Sequence, residues 1–202
     1  MKFSSKHICS FLVFCLMITY GEAQDLTVTK TIKKHKYTLY AGFGPDFYFN
    51  NLTVSKQYVR ELNYAFVTRF MWEPAYFLNL GFETGYNRFY SIKENPIAGS
   101  QVKITNAAIP IQLVISMKFN TDFYSSFTMG QSILLNKVNT TNNGSTNNIN
   151  ASSLSLGDFG INIGYRKLIS SRLYLGTELK GFYSSKLDDK NLGLMFMTGY
   201  RL

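Results

Sequence analysis

The chain has 202 residues, of which 46% are hydrophobic and 16% aromatic, yet only 16% are charged. Soluble domains usually carry about 25% charged residues. Basic residues outnumber acidic ones by 21 to 12, a net charge of +9, while the mean hydropathy is close to zero. So many Phe and Tyr exclude a disordered chain, and beyond the N-terminus no apolar run is long enough for a membrane-spanning helix.

Residues 1–23 read as a secretory signal peptide. Lys2 and Lys6 form a basic start, Ile8 to Ile18 an apolar stretch, and Gly21 and Ala23 supply the small residues that precede a cleavage site. Cleavage after Ala23 removes Cys9 and Cys15, so the exported chain carries no disulfide, no thiolate nucleophile and no cysteine metal site. It also removes Lys2, Lys6 and Glu22, leaving 19 basic and 11 acidic residues, net +8. Residues 24–36 follow as a short periplasmic segment that includes the basic stretch from Lys30 to Lys36.

From residue 37 onward the sequence alternates with period two, the signature of strands with unlike faces. In 37–49, Leu39, Phe43 and Phe47 oppose Thr38, Gly42, Gly44 and Asp46. In 62–71, Tyr64, Phe66 and Phe70 oppose Asn63, Ala65 and Arg69. The stretch 75–90 sets Leu78, Leu80, Phe82 and Tyr86 against Asn79, Gly81, Glu83 and Gly85. The same alternation places Gln112, Ser116 and Lys118 on the small or polar face of 104–119, and Tyr124, Ser126, Thr128 and Gly130 on that of 123–135. Asp158, Gly160 and Arg166 share this face in 154–166, Glu178 and Lys180 in 173–183, and Asn191 and Gly193 in 191–202.

These eight strands predict an all-β, eight-stranded antiparallel up-and-down transmembrane β-barrel over 37–202. Most are long enough to cross a bilayer when tilted. Short turns near 72–74, 120–122 and 167–172 alternate with longer connections near 50–57, 91–103, 136–153 and 184–190, and barrels of the outer membrane place their short turns in the periplasm. The bulky face must point outward into lipid, because the lumen of an eight-strand barrel cannot hold so many large side chains.

The eight-strand series, the glycine-rich inner face and the final Gly199-Tyr200-Arg201-Leu202 resemble the small outer-membrane β-barrel family of Bacteroidota known as PorT-like. Ala41-Gly42-Phe43-Gly44-Pro45, Ala108-Ile109-Pro110-Ile111-Gln112-Leu113 and Phe159-Gly160-Ile161-Asn162-Ile163-Gly164-Tyr165 look like its strand motifs. The resemblance implies insertion by the barrel-assembly machinery, which reads the last strand. Asn191, Gly193, Phe196, Tyr200 and Leu202 are the candidate signal, although Thr198 replaces a second aromatic and Leu202 a terminal Phe. With the chain ending at its eighth strand, no peptidoglycan-binding domain is expected to follow.

Chemistry is sparse. The exported part keeps one histidine, His35, and has no Gly-x-Ser-x-Gly elbow or metal-ligand cluster, so neither an enzyme nor a cofactor is expected. The inner-face charges Asp46, Arg69, Glu83, Lys118, Asp158, Arg166, Glu178 and Lys180 are the candidate lumen network. Isolated charges in so narrow a space are costly, so they should pair and fill the lumen, and the spacing alone does not say which pairs with which. The Asn-rich segment 136–153 is expected to be a mobile, solvated extracellular loop, with surface contact as its alternative role. The expected partners are outer-membrane lipid and the assembly machinery, not nucleic acid. The sequence therefore points to a structural or surface-interaction protein of the outer membrane, with a narrow channel for small or hydrophobic solutes, or an accessory part of a secretion or assembly complex, as alternatives.

Overall fold

The computed structural model describes residues 36–49, 58–74, 77–94, 100–142 and 145–202. The signal peptide, the segment 24–35 with His35, and the whole of the connection 50–57 lie outside them.

The described residues form strands joined by short turns. The elements are β1 (Lys36–Phe49), β2 (Val59–Arg60), β3 (Leu62–Glu73), β4 (Leu78–Glu94), β5 (Ser100–Lys118), β6 (Phe123–Asn142), β7 (Ser145–Leu168), β8 (Leu173–Ser184) and β9 (Asp189–Arg201). All neighbours are antiparallel. The order β2-β4-β3-β1-β9-β8-β7-β6-β5, with β4 also paired to β5, closes the sheet into a ring. Val59 faces Ile92 and Ala65 faces Asn87, so β2 and β3 both lie along β4 and make one crossing interrupted at Glu61. The barrel therefore has the eight crossings that the alternation predicts.

The alternation sorts the side chains inside out. Phe43, Phe82 and Phe196 are 57%, 65% and 61% exposed, whereas Glu83 and Glu178 are 2% and 0% exposed. Inward glycines make room for the few large residues that do point inward. A Cβ on Gly164 would overlap the Tyr124 ring, and one on Gly199 the Tyr40 ring. Gly157 answers to a different constraint. It is the extra residue where the β6–β7 register slips between Gly130 and Gln131, and its φ of 79° suits glycine.

The connections differ from expectation at one rim. The segment 136–153 is not a loop. β6 runs on to Asn142 and β7 starts at Ser145, with Asn136 opposite Ala151, Val138 opposite Ile149 and Thr140 opposite Asn147. Likewise β4 extends to Glu94 and β5 begins at Ser100, within the expected loop 91–103. β6 and β7 have 20 and 24 residues against 12 and 13 for β8 and β9. A tilted membrane strand needs about 9–11. The ends of β4 to β7 thus stand beyond the rest of the barrel as a protruding sheet. At the opposite rim the turns are short, and Leu202 N–H bonds the carbonyl of Tyr37, bringing both ends of the described barrel together.

Candidate functional site in the barrel lumen

The period-two alternation aims one face of every strand at the axis, so residues far apart in sequence meet there. Three tiers fill the lumen.

At the middle, Arg69 of β3 bridges two walls. Its Nε and Nη2 donate to Glu83 Oε2 of β4 at 2.7 and 2.5 Å, and its Nη1 and Nη2 donate to Glu178 of β8 at 2.8 and 2.9 Å. Tyr124 donates to Glu178 Oε2 at 2.7 Å, and Lys180 Nζ donates to Glu83 Oε1. These four charges are nearly or wholly excluded from solvent. A guanidinium fork matches carboxylates in two directions, which lets one cation tie strands on opposite sides of the ring.

Nearer the short-turn rim, Glu73 collects three donors. Arg166 Nη1 lies 2.7 Å from its Oε1, Tyr40 O–H donates to the same oxygen at 2.8 Å, and Lys118 Nζ lies 3.1 Å from Oε2. The Arg166 guanidinium also sits over the rings of Tyr40, Tyr124 and Tyr174, at 5.3, 5.3 and 5.2 Å from their centroids. Between Arg69, Glu73 and Tyr124 remains a space of about 10 Å³, the room of a single water.

Toward the protruding sheet, Asp46 accepts a 2.5 Å hydrogen bond from Asn191 Nδ2. Above it Tyr48, Phe89, Ala108, Leu134 and Phe182 form a fully or nearly buried apolar plug, with the Tyr48 and Phe89 rings 6.4 Å apart and Phe89 and Phe182 5.9 Å apart. Tyr48 O–H closes this tier by donating to Asp189 Oδ1 at 2.6 Å. Polar tiers below and an apolar tier above leave the axis occupied by side chains.

All eight charges predicted for the lumen point inward, and six of them are ion-paired. Two are not. Asp46 has an amide as its hydrogen-bond partner, and Asp158 sits at the β7 bulge, where Ser155 Oγ and Ser185 N–H donate to its Oδ1 at 2.6 and 2.9 Å. Sequence reasoning missed Glu73, which it placed in a turn, although Glu73 continues the inward parity of Asn63, Ala65 and Arg69. It also left Asp189, Tyr40 and Tyr48 unassigned, although their parity points to the lumen, whereas Tyr124 is buried on the inner face to which the alternation assigns it. Of the candidate assembly residues, Asn191 and Gly193 face inward and are buried, whereas Phe196, Tyr200 and Leu202 face outward and are exposed. Among the described residues no group of His, Cys, Asp and Glu is arranged to hold a metal ion.

No protein-family model matches the sequence, and no curated protein sequence matches it. Among solved structures, the crystal structure of Ail, the attachment invasion locus protein of Yersinia pestis, is similar in fold at a TM-score of 0.51 and 10% identity. The match covers 84% of this chain and 99% of Ail. A second Ail structure, in complex with the heparin analogue sucrose octasulfate, matches over the same shares at a TM-score of 0.50 and 9% identity. At such identity the likeness speaks to the fold alone, and the fold it speaks to is the closed antiparallel barrel described above.

Proposed function

We propose that the chain is an exported outer-membrane barrel with a structural or surface-contact role, no catalytic function and a closed lumen, related to the PorT-like barrels that its strand motifs resemble. One observation carries this reading: a continuous belt of large apolar side chains faces outward while the charges are buried and matched inside. A water-soluble protein would lose stability by that arrangement, whereas lipid rewards it. The lipid bilayer is then the main partner. The outward Phe196, Tyr200 and Leu202 are the part of the last strand that the assembly machinery would meet on the lipid side, while the inward Asn191 also serves to hold Asp46.

Trp72, the chain's only tryptophan, offers a direct test. It lies on the outward parity of β3 one residue from the strand's end, at the level of the membrane interface where Trp is favoured. Bromine placed high on lipid acyl chains, near the head groups, should quench its fluorescence more than bromine at the bilayer centre. Equal quenching by both, or none, would reject the proposed depth.

A second reading of the surface role is favoured by one feature of the protruding sheet. Lys93 of β4 stands directly opposite Lys103 of β5, and Lys137 of β6 is a near neighbour across the β5–β6 register. Like charges directly opposite are unfavourable, so such a row gains from an anionic polymer laid across it. The heparin analogue bound by Ail is of that chemical class. Retention on a heparin column that falls after Lys103→Glu would support this contact.

A further inference from the structure

The protruding part of β7 has an unused side. From Ser145 to Asn150 and beyond, β7 pairs with β6, but its pairing with β8 begins only at Phe159. Just above that point the edge is occupied by side chains of the β8–β9 turn. Ser185 Oγ donates to the carbonyl of Leu156, and Lys186 Nζ donates to that of Leu154 at 3.1 Å. Above Leu154, among the described residues, no strand or side chain is bonded to the outer edge of Ser145–Ser153. Alternate backbone N–H and C=O groups there point away from the sheet.

Edge strands are ordinarily guarded by lysine, proline or a bulge that breaks the line of free groups. Ser145–Ser153 has none of these. It reads Ser-Thr-Asn-Asn-Ile-Asn-Ala-Ser-Ser, without a charge or a proline, in a chain whose net charge is +9. Two copies of a cationic protein repel each other, and this edge adds no charge of its own to that cost, although Lys137 opposite Asn150 and Lys186 at Leu154 stand beside it. At the midpoint of the open stretch stands Ile149, 60% exposed and flanked on both sides by asparagine.

We infer that the edge Ser145–Ser153 binds the same edge of a second copy of this chain, as an antiparallel strand pair with its twofold axis at Ile149. In that register Ile149 meets Ile149, Asn147 meets Ala151 and Ser145 meets Ser153. Main-chain hydrogen bonds supply the attraction, and the central isoleucine pair fixes the register. The geometry also sets where the two copies stand. Barrel strands tilt by about 35–45° in one sense, so the β7 edges of two copies in one membrane would cross rather than align. Antiparallel alignment inverts one copy, so the contact joins barrels held in two facing membranes. This inference rests on the outer-membrane reading and names a partner for its surface role.

The test uses the full barrel in lipid nanodiscs, one copy per disc, where both faces are open to a second disc. A difference in gel mobility between unheated and boiled samples reports folding or its loss for each variant, and co-migration of protein with lipid reports insertion. The inference expects wild-type discs to associate in pairs, and Ile149→Lys or Asn147→Pro to return them to single discs while the barrel stays folded. Discs carrying Ser145→Cys should form disulfide-linked pairs with discs carrying Ser153→Cys and not with themselves. Folded wild-type discs that stay single would overturn the inference, as would Ser145→Cys linking to itself or pairing that survives Ile149→Lys. A chain that does not enter lipid would overturn the outer-membrane reading, and this contact with it.

Discussion

Arg69 donates to two carboxylates on different walls, Glu83 on β4 and Glu178 on β8, and Glu83 in turn takes Lys180. Neither carboxylate can reach water, so the cation that satisfies them cannot be spared. Replacing Arg69 by Met should cost about 3–5 kcal/mol, the loss typical of a buried charge left without its partner. Arg69→Lys should cost less, because it keeps the charge and gives up the two-sided fork. Urea unfolding in lipid, followed by the shift in gel mobility, measures both. Equal losses would mean that geometry, not charge, is what Arg69 contributes. Glu73 holds the second tier in the same way, since Arg166, Lys118 and Tyr40 all converge on it.

At the level of the strand, alternation alone made the barrel legible, because each strand lies between two solvents and each face takes the residues that suit its side. Legibility ended where the solvents became the same. Above the rim both faces of β6 and β7 are wet, so Asn136–Ser153 shows no period and reads as a loop, although its backbone ladder runs on to Asn142 opposite Ser145. Composition gave no guide at the inner face to Tyr40 and Tyr48, which break its small or polar pattern and are hydrogen-bonded lumen residues. Ion pairing was beyond reach for a further reason. Which charge meets which depends on the stagger between strands, and only the register gives it: Arg69 stands directly opposite Glu83, whereas its contact to Glu178 crosses the lumen. Because the protruding hairpin contributes nothing to the lumen, deleting residues 139–150 should leave folding intact. Asn136 still faces Ala151, and Val138 can turn directly into it. Loss of the heat-dependent mobility shift in that variant would show that the hairpin helps the barrel to form.

The molecule as a whole is a barrel turned inside out, and this explains a composition that is aromatic, poor in charge and yet of neutral hydropathy. Phe82, 65% exposed and set between Phe70 and Leu113 on the outer wall, is where the two solvents give opposite answers. Phe82→Arg should cost about 2–4 kcal/mol in a bilayer if that wall faces hydrocarbon. In water the same change would be neutral. Within the wall, matched charges below and an aromatic plug above fill the space along the axis. Single-channel recording in planar bilayers tests that filling most directly. The purified, folded protein should give no large, steady current over minutes at moderate voltage. Long-lived conductance steps from the wild-type chain would contradict a filled lumen and make the barrel a pore.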